Sequence, residues 1–401
     1  MRTAVGIAGV VLLLWVLWDA FEVFLLPRRV TRRFRFARFY YRNSWRPWAW
    51  LGDRIGDRHR REAWLSVYGP LSVVGLALLW AVALLFAFAL MFWGFTGAAG
   101  PPESRLASDF YLSGSTFFTL GLGDVLPTTS FARFLVVLES GTGFGFLAVV
   151  ISYLPVLYAG FSRREASITL LDARAGSPPT AAELLRRQTP GAPQLTQLLA
   201  EWERWAANVL ESHISYPVLA YFRSQHDNQS WLTALATVLD ASALVLAGAC
   251  CATGAAAGRG AAGPPAASPG GHAGPAEAPI PAPAGNNAEA LRQAHLTYAM
   301  GRHAVVDLTQ VYGARPIAPA PDRLPDAELA RLQAALRERG LPWRNPEHAA
   351  QHLAHLRQAY EPYLTALAAF LRTPLPQWLP AREAPDNWQT SGWEVTRRTD
   401  G

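Results

Sequence analysis

Ser113-Gly114-Ser115-Thr116-Phe117-Phe118-Thr119-Leu120-Gly121-Leu122-Gly123-Asp124 decides how the chain is read. Two glycines at alternate positions follow a short run of helix-compatible residues. Glycine tolerates backbone angles that side chains resist, so this stretch is built for an unusual conformation. Its setting matters as much as its letters. It lies between two apolar runs, at about residues 64–95 and 131–158, and a third run precedes both at about 4–26. Each has at least ~20 largely apolar residues, the length that a bilayer core of about 30 Å requires.

Composition agrees with a membrane protein. Of 401 residues, 51% are hydrophobic and 16% charged, against about 25% charged in soluble proteins. The apolar residues cluster before residue 160. The formal net charge is +6 and every basic residue is arginine. A nucleic-acid partner is not expected, because the main arginine cluster directly follows an apolar run, as a cytoplasmic flank does. The first run is too long for a signal peptide. Asp19 and Glu22 interrupt it, and Pro27-Arg28-Arg29 follows in place of a small-residue cleavage site. Both acids are expected to pair with arginine near the inner interface. The adjacent Cys250 and Cys251 do not form a disulfide framework and read as free thiols.

Charge orients the spans. Between the first two lie twelve arginines from Arg28 to Arg61, opposed by Asp53, Asp57 and Glu62. That linker is expected in the cytoplasm. Its arginines alternate with Phe, Tyr and Trp, which predicts an interfacial segment on the anionic inner leaflet. The stretch between the second and third spans carries Glu103, Arg105, Asp109 and Asp124 and is placed outside. Arg163 and Arg164 flank the third span on the inside. The N-terminus is then outside and the region after residue 160 cytosolic.

That region is predicted helical at about 180–188, 194–210, 288–311, 328–339 and 347–371. Residues 254–287 are dominated by Gly, Ala and Pro, too poor in apolar surface to order themselves, and are expected to be a disordered insertion. Residues 232–252 are apolar enough for a fourth span. Asp240 at their centre favours a buried helix of the cytosolic part.

Thr119-x-Gly121-x-Gly123-Asp124, a short helix before it and Pro127 after it make residues 64–158 resemble the potassium channel pore family. The family includes bacterial two-span channels and two-pore-domain channels; an added N-terminal span would be this chain's own. The resemblance implies an all-α membrane protein in which an outer and an inner helix flank a re-entrant pore helix and filter. The expected division is an N-terminal transmembrane helix at 1–27, an interfacial linker at 28–62, a pore domain at 63–160 and a helical cytosolic domain at 161–401. It further implies that the carbonyls of Thr119, Leu120, Gly121 and Leu122 replace the water shell of K⁺, the permeant ion. Asp124 would hold the outer mouth, and the pore helix would aim its negative end at the ion path. One filter per chain requires a homotetramer.

The match is not complete. Leu122 stands where the family has Tyr, Leu120 where it has Val, and Ser115 where some members keep an acid. The family's paired aromatics map to Tyr111 and Leu112. Support for the filter is therefore expected from Tyr111, Ser115, Thr116 and Phe117, largely by apolar contact. Gly141, Gly143 and Gly145 in the third span are small enough for close packing or bending, and Pro155 is expected to kink the helix as a gate. Glu139 is read either as facing the pore cavity or as pairing with Arg133 or another span.

His348, His352 and His355 share a helical face, but few carboxylates and no Cys join them. No metal beyond K⁺ is expected. No nucleophile–base pair or phosphate-cradling loop appears, so the chain is not read as an enzyme. The function expected is passive K⁺ conduction at the cell membrane, gated by the inner helix, the cytosolic domain or both. A weakly selective cation channel and a nonconducting sensor or scaffold are the alternatives.

Overall fold

Every regular element is a helix among the residues that the computed structural model describes, which are 1–24, 36–96, 105–187, 193–224, 228–249, 286–341, 343 and 345–380. The chain forms two compact units. The first comprises Met1–Arg163 and Ser212–Arg223; the second comprises Arg164–Glu211 and Ser224–Gly401.

The first unit holds α1 (Arg2–Phe24), α2 (Phe36–Gly52), α3 (Arg58–Met91), α4 (Arg105–Phe117) and most of α5 (Ser130–Ala175). A π-helical turn, Phe92–Thr96, extends α3. α1, α3 and α5 are each long and apolar enough to cross a membrane. With no water to bond their peptide groups in lipid, such runs must close their hydrogen bonds internally, as helices do. α1 packs along α3, and the approach is close: a Cβ on Gly9 would come within 2.7 Å of the Ala87 carbonyl oxygen. Leu13, Val16, Leu76, Trp80, Leu84 and Phe88 fill the shared core. Asp19 is buried there and accepts hydrogen bonds from Trp80 Nε1 and the Phe36 amide, both at 3.1 Å. The expected pairing with arginine involves residues 28–35, which lie outside those described.

α2 is amphipathic. Ala37, Trp45 and Ala49 face inward, while Arg38, Phe39, Arg42, Arg46 and Trp50 are exposed. Trp48 and Trp64 stack at 4.2 Å, and each indole N–H donates to the other residue's carbonyl at 3.2 Å. Asp57 caps α3 by accepting from the Arg60 amide at 2.7 Å. Residues 212–223 return to this unit, which the sequence had not suggested. Tyr221 packs on Trp45 and Tyr68, and Arg223 pairs with Glu62 at 3.1 Å.

α5 runs well past the predicted end at 158. Hydropathy marks where lipid ends, whereas the polar residues beyond 160 are still helix formers. The helix is continuous through Pro155, which removes a single backbone hydrogen bond.

The second unit is built from α6 (Ala181–Arg186), α7 (Pro193–Ser215, to residue 211), α8 (Trp231–Leu244), α9 (Asn286–Tyr312), α10 (Asp326–Glu338), α11 (Pro346–Gln358) and α12 (Glu361–Leu371). Residues 347–371, read as one helical stretch, are two helices. Pro362 has no N–H to continue α11 and instead serves the first turn of α12. Residues 250–285 lie outside those described, and with them the two cysteines and the expected disordered insertion up to its last two residues, Asn286 and Asn287, which open α9; the chain beyond 380 lies outside as well.

α8 is the centre of this unit. Its apolar window, 231–248, passes the length test for a span but is 89% buried within the protein. α6, α9, α11 and α12 pack around it, leaving almost nothing for lipid to meet. Asp240, fully buried, is satisfied by ionic and neutral donors. Arg323 Nη2 donates to it at 2.6 Å and Tyr360 Oη at 2.6 Å. Glu361 joins Arg323 and Arg357, each at 3.0 Å, and both guanidiniums lie near the Trp378 ring. Burial alone would lower the Arg323 pKa; the Asp240 carboxylate reverses this and holds it above its ordinary value.

Removing one member of a buried pair leaves an uncompensated charge. Asp240→Ala is expected to lower the stability of the full-length protein by about 3–5 kcal/mol in detergent denaturation, and Asp240→Leu combined with Arg323→Met to recover much of that loss. An Asp240→Ala protein with an unchanged midpoint would show that the network does not hold this unit together.

Candidate functional site

The geometry of a helix end generates the candidate site. α4 is a 13-residue helix whose last carbonyls have no partners within the helix. The chain beyond it supplies them. The Ser115 carbonyl accepts from the Leu120 amide at 2.8 Å and the Gly121 amide at 3.4 Å, and the Thr116 carbonyl from the Thr119 amide at 3.0 Å. The helix thus hands directly into the Thr119–Asp124 segment, with the negative end of its dipole toward that segment.

From there the backbone alternates. Thr119, Gly121 and Gly123 have φ of +58°, +60° and +77°, while Leu120 and Leu122 are not in the positive-φ region. Reversing the sign of φ at every second residue turns successive carbonyls toward one side of the chain. The glycines adopt this without cost, whereas Thr119, which is β-branched, is held there against its preference. A cost of about 1–3 kcal/mol is typical for such a residue and persists only when its surroundings fix it. Here the Ser115 and Thr116 carbonyls supply that fixing.

The segment is open in a single chain. Leu120 and Leu122 are 63% and 67% exposed, and a Cβ added at Gly121 or Gly123 would meet nothing within 4 Å. Asp124 follows, hydrogen-bonded by the Tyr111 hydroxyl. Tyr111 therefore contributes a polar contact where an apolar one was expected. Ser115 and Phe117 are buried, and Thr116 is half-buried beside them. Leu122, two-thirds exposed, has little packing within one chain.

Gly141, Gly143 and Gly145 of α5 differ. Gly141 and Gly145 face open space, whereas a Cβ on Gly143 would overlap the Phe117 carbonyl oxygen. Gly143 is thus where α5 passes the end of α4. One turn earlier, Glu139 is fully buried and hydrogen-bonded to Ser113 Oγ. Its partner is α4, neither Arg133 nor an open cavity. Arg133 points its Nε toward the Pro127 carbonyl at 3.5 Å. The contacts 139 with 113 and 143 with 117 step along both helices in the same direction, so α4 and α5 run the same way where they meet.

The bond from Ser113 Oγ to the Leu85 carbonyl, and Gly143's contact with Phe117, were not anticipated. The signal for Ser113 was present: it lies four residues before Phe117 and after Asp109, and all three are buried on one face. Among the described residues no three His, Cys, Asp or Glu side chains gather as a metal cage, and the His348 and His352 rings are 6.5 Å apart.

Residues 75–158 match the profile of a family described as ion channel. The matched stretch contains α4, the alternating segment and the Gly143 contact. No curated protein and no solved structure matches the chain.

The glycines give a paired test. Gly143→Ala should destabilise the protein by about 1–3 kcal/mol, because the Phe117 backbone must move. Gly141→Ala, with open space, should be neutral or gain up to about 1 kcal/mol from helix propensity. Thermal denaturation in detergent checks both; equal midpoints would place Gly143 outside the packing contact.

Proposed function

We propose that the chain is one subunit of a homotetrameric, potassium-selective channel that conducts K⁺ passively across the cell membrane. The observation that carries this reading is the alternation of φ at Thr119, Gly121 and Gly123, directly after a helix whose dipole points the same way. A cation shedding water needs preplaced oxygens, and four such segments around one axis would supply rings of them. The Thr119 hydroxyl would add the innermost ring. Asp124 at the outer end would concentrate cations by its charge.

The exposure of Leu120 and Leu122 in one chain supports assembly, since large apolar side chains at a helix-lined mouth call for neighbours. The ion-channel family match over residues 75–158 supports the same reading. Exposed Val74, Leu78, Val82, Val137, Phe144 and Ile151 give α3 and α5 surfaces suited to lipid or to other subunits. By the positive-inside rule the arginine-rich flanks favour an N-terminus outside and a second unit in the cytosol. Exposed Arg38, Arg42 and Arg46 on α2, with Phe39 and Trp50 beside them, suit anionic headgroups of the inner leaflet. Gly141, Gly143, Gly145 and Pro155 lie along the inner helix, where a bend would open or close the path.

Planar-bilayer recording under opposing K⁺ and Na⁺ gradients tests the proposal. The reversal potential is expected to follow K⁺, and Asp124→Asn to reduce conductance severalfold at low ionic strength and less at high salt, where a Debye length of about 3 Å at 1 M screens the mouth. Reversal near zero would instead mean a weakly selective cation pore. Absence of current in the full chain and in a chain ending after Gly176 would support the sensor or scaffold reading.

A further inference from the structure

Three helices meet at one hydroxyl. Ser113 Oγ on α4 lies 2.9 Å from the Leu85 carbonyl oxygen of α3 and also hydrogen-bonds Glu139 Oε1 of α5. Ser113 and Glu139 are both 0% exposed. A serine hydroxyl owns one proton, and the Leu85 carbonyl owns none. Two hydrogen bonds among these three oxygens need two protons, so the second must come from Glu139. Its other oxygen, Oε2, is buried without a hydrogen-bond partner among the described residues. An ionised carboxylate in that position would face apolar surroundings with a single donor between its two oxygens, an arrangement that buried charges do not tolerate.

The neighbouring charges do not rescue it. Residues 63–96 of α3 and its π-helical extension contain no ionisable acid or base apart from Tyr68. On α4, Asp109 lies one turn before Ser113 and is itself buried, Tyr111 is bound to Asp124, and Arg105 opens the helix two turns away. On α5, Arg133 is directed to the Pro127 carbonyl. Among the described residues no ion pair reaches Glu139, and Asp109 would add only a like charge.

We propose that Glu139 is a neutral carboxylic acid that donates its proton to Ser113 Oγ, and that this clasp is the positioning device that sets α4, and with it the Thr119–Asp124 segment, against α3 and α5. The location suits that role. Ser113 is two residues before Ser115, whose carbonyl holds the Leu120 and Gly121 amides. Glu139 is one turn before Gly143, which meets the Phe117 backbone. A shift of Ser113 would therefore carry the start of the alternating segment with it. The buried acid comes from the inner helix, while position 115, four residues before Thr119, is a serine. The positioning role rests on the conduction reading; the protonation state does not.

Full-length wild-type, Glu139→Gln and Glu139→Ala proteins in liposomes test both parts. Glutamine keeps a neutral donor for Ser113 Oγ; alanine does not. The infrared difference between wild type and Glu139→Gln at neutral pH is expected to contain the C=O stretch of a protonated carboxylic acid. Potassium flux should stay within about twofold for Glu139→Gln and fall about tenfold or more for Glu139→Ala, as losing a buried hydrogen bond implies. Carboxylate stretches in place of the acid band, or Gln as impaired as Ala, would overturn the proposal. If Glu139→Ala fails to assemble, the wild-type and Gln comparison decides by itself. If no variant passes K⁺, the infrared result still judges the proton, and the failure belongs to the conduction reading alone.

Discussion

An ion leaves water only if oxygens already stand where its hydration shell was, and a polypeptide can offer them only by turning consecutive carbonyls the same way. Ordinary strands alternate their carbonyls, and helices align them along the axis. Between residues 119 and 123 the chain takes a third course, with positive φ at each odd position. That conformation is costly at Thr119 and makes few contacts of its own. It exists because α4 ends immediately before it and leaves two carbonyls to be satisfied. The rest of the first unit holds α4 in place: Gly143 admits its last turn, the Ser113 hydroxyl fixes its middle, and Leu112 and Phe117 fill the core shared with α1, α3 and α5.

The same physics governs each acid in the apolar interior. Asp19 takes the Trp80 indole and the Phe36 amide, Glu139 takes Ser113, and Asp240 takes Arg323 and Tyr360. The choice of partner follows the surroundings. Asp240 sits within protein, balanced by the Arg323 guanidinium, in a network that also takes in Tyr360, Glu361 and Arg357. Glu139 has only a hydroxyl. A neutral donor would bridge helices without a counter-charge beside the proposed ion path, so the proposed protonation and the place behind the segment would belong together.

Much of this was legible in the sequence, and the reasons are specific. The three spans follow from uninterrupted apolar length, α4 from its position before two alternate glycines, and the burial of α8 from Asp240 at its middle. Less visible was anything set by tertiary contact. The return of residues 212–223 to the first unit depends on Tyr221 meeting Trp45 and Tyr68, a pairing with no periodicity to betray it. The break between α11 and α12 had its signal in Pro362, but the apolar pattern runs across it. α5 outlasted its hydropathy because helix formation continues in water. At the site, Glu139 stood out as the lone acid of its span, yet its partner could not be read from spacing. Tyr111 looked apolar in a list of aromatics, and only the fold brings its hydroxyl to Asp124.

The central claim is geometric and has a direct measurement: a high-resolution electron cryomicroscopy map of the full-length protein in lipid with K⁺ present. The account predicts four chains on one axis, with ion density flanked by the carbonyls of residues 119–122. A map in which those carbonyls face away from any shared axis, or in which the chain stands alone in the bilayer, would contradict it.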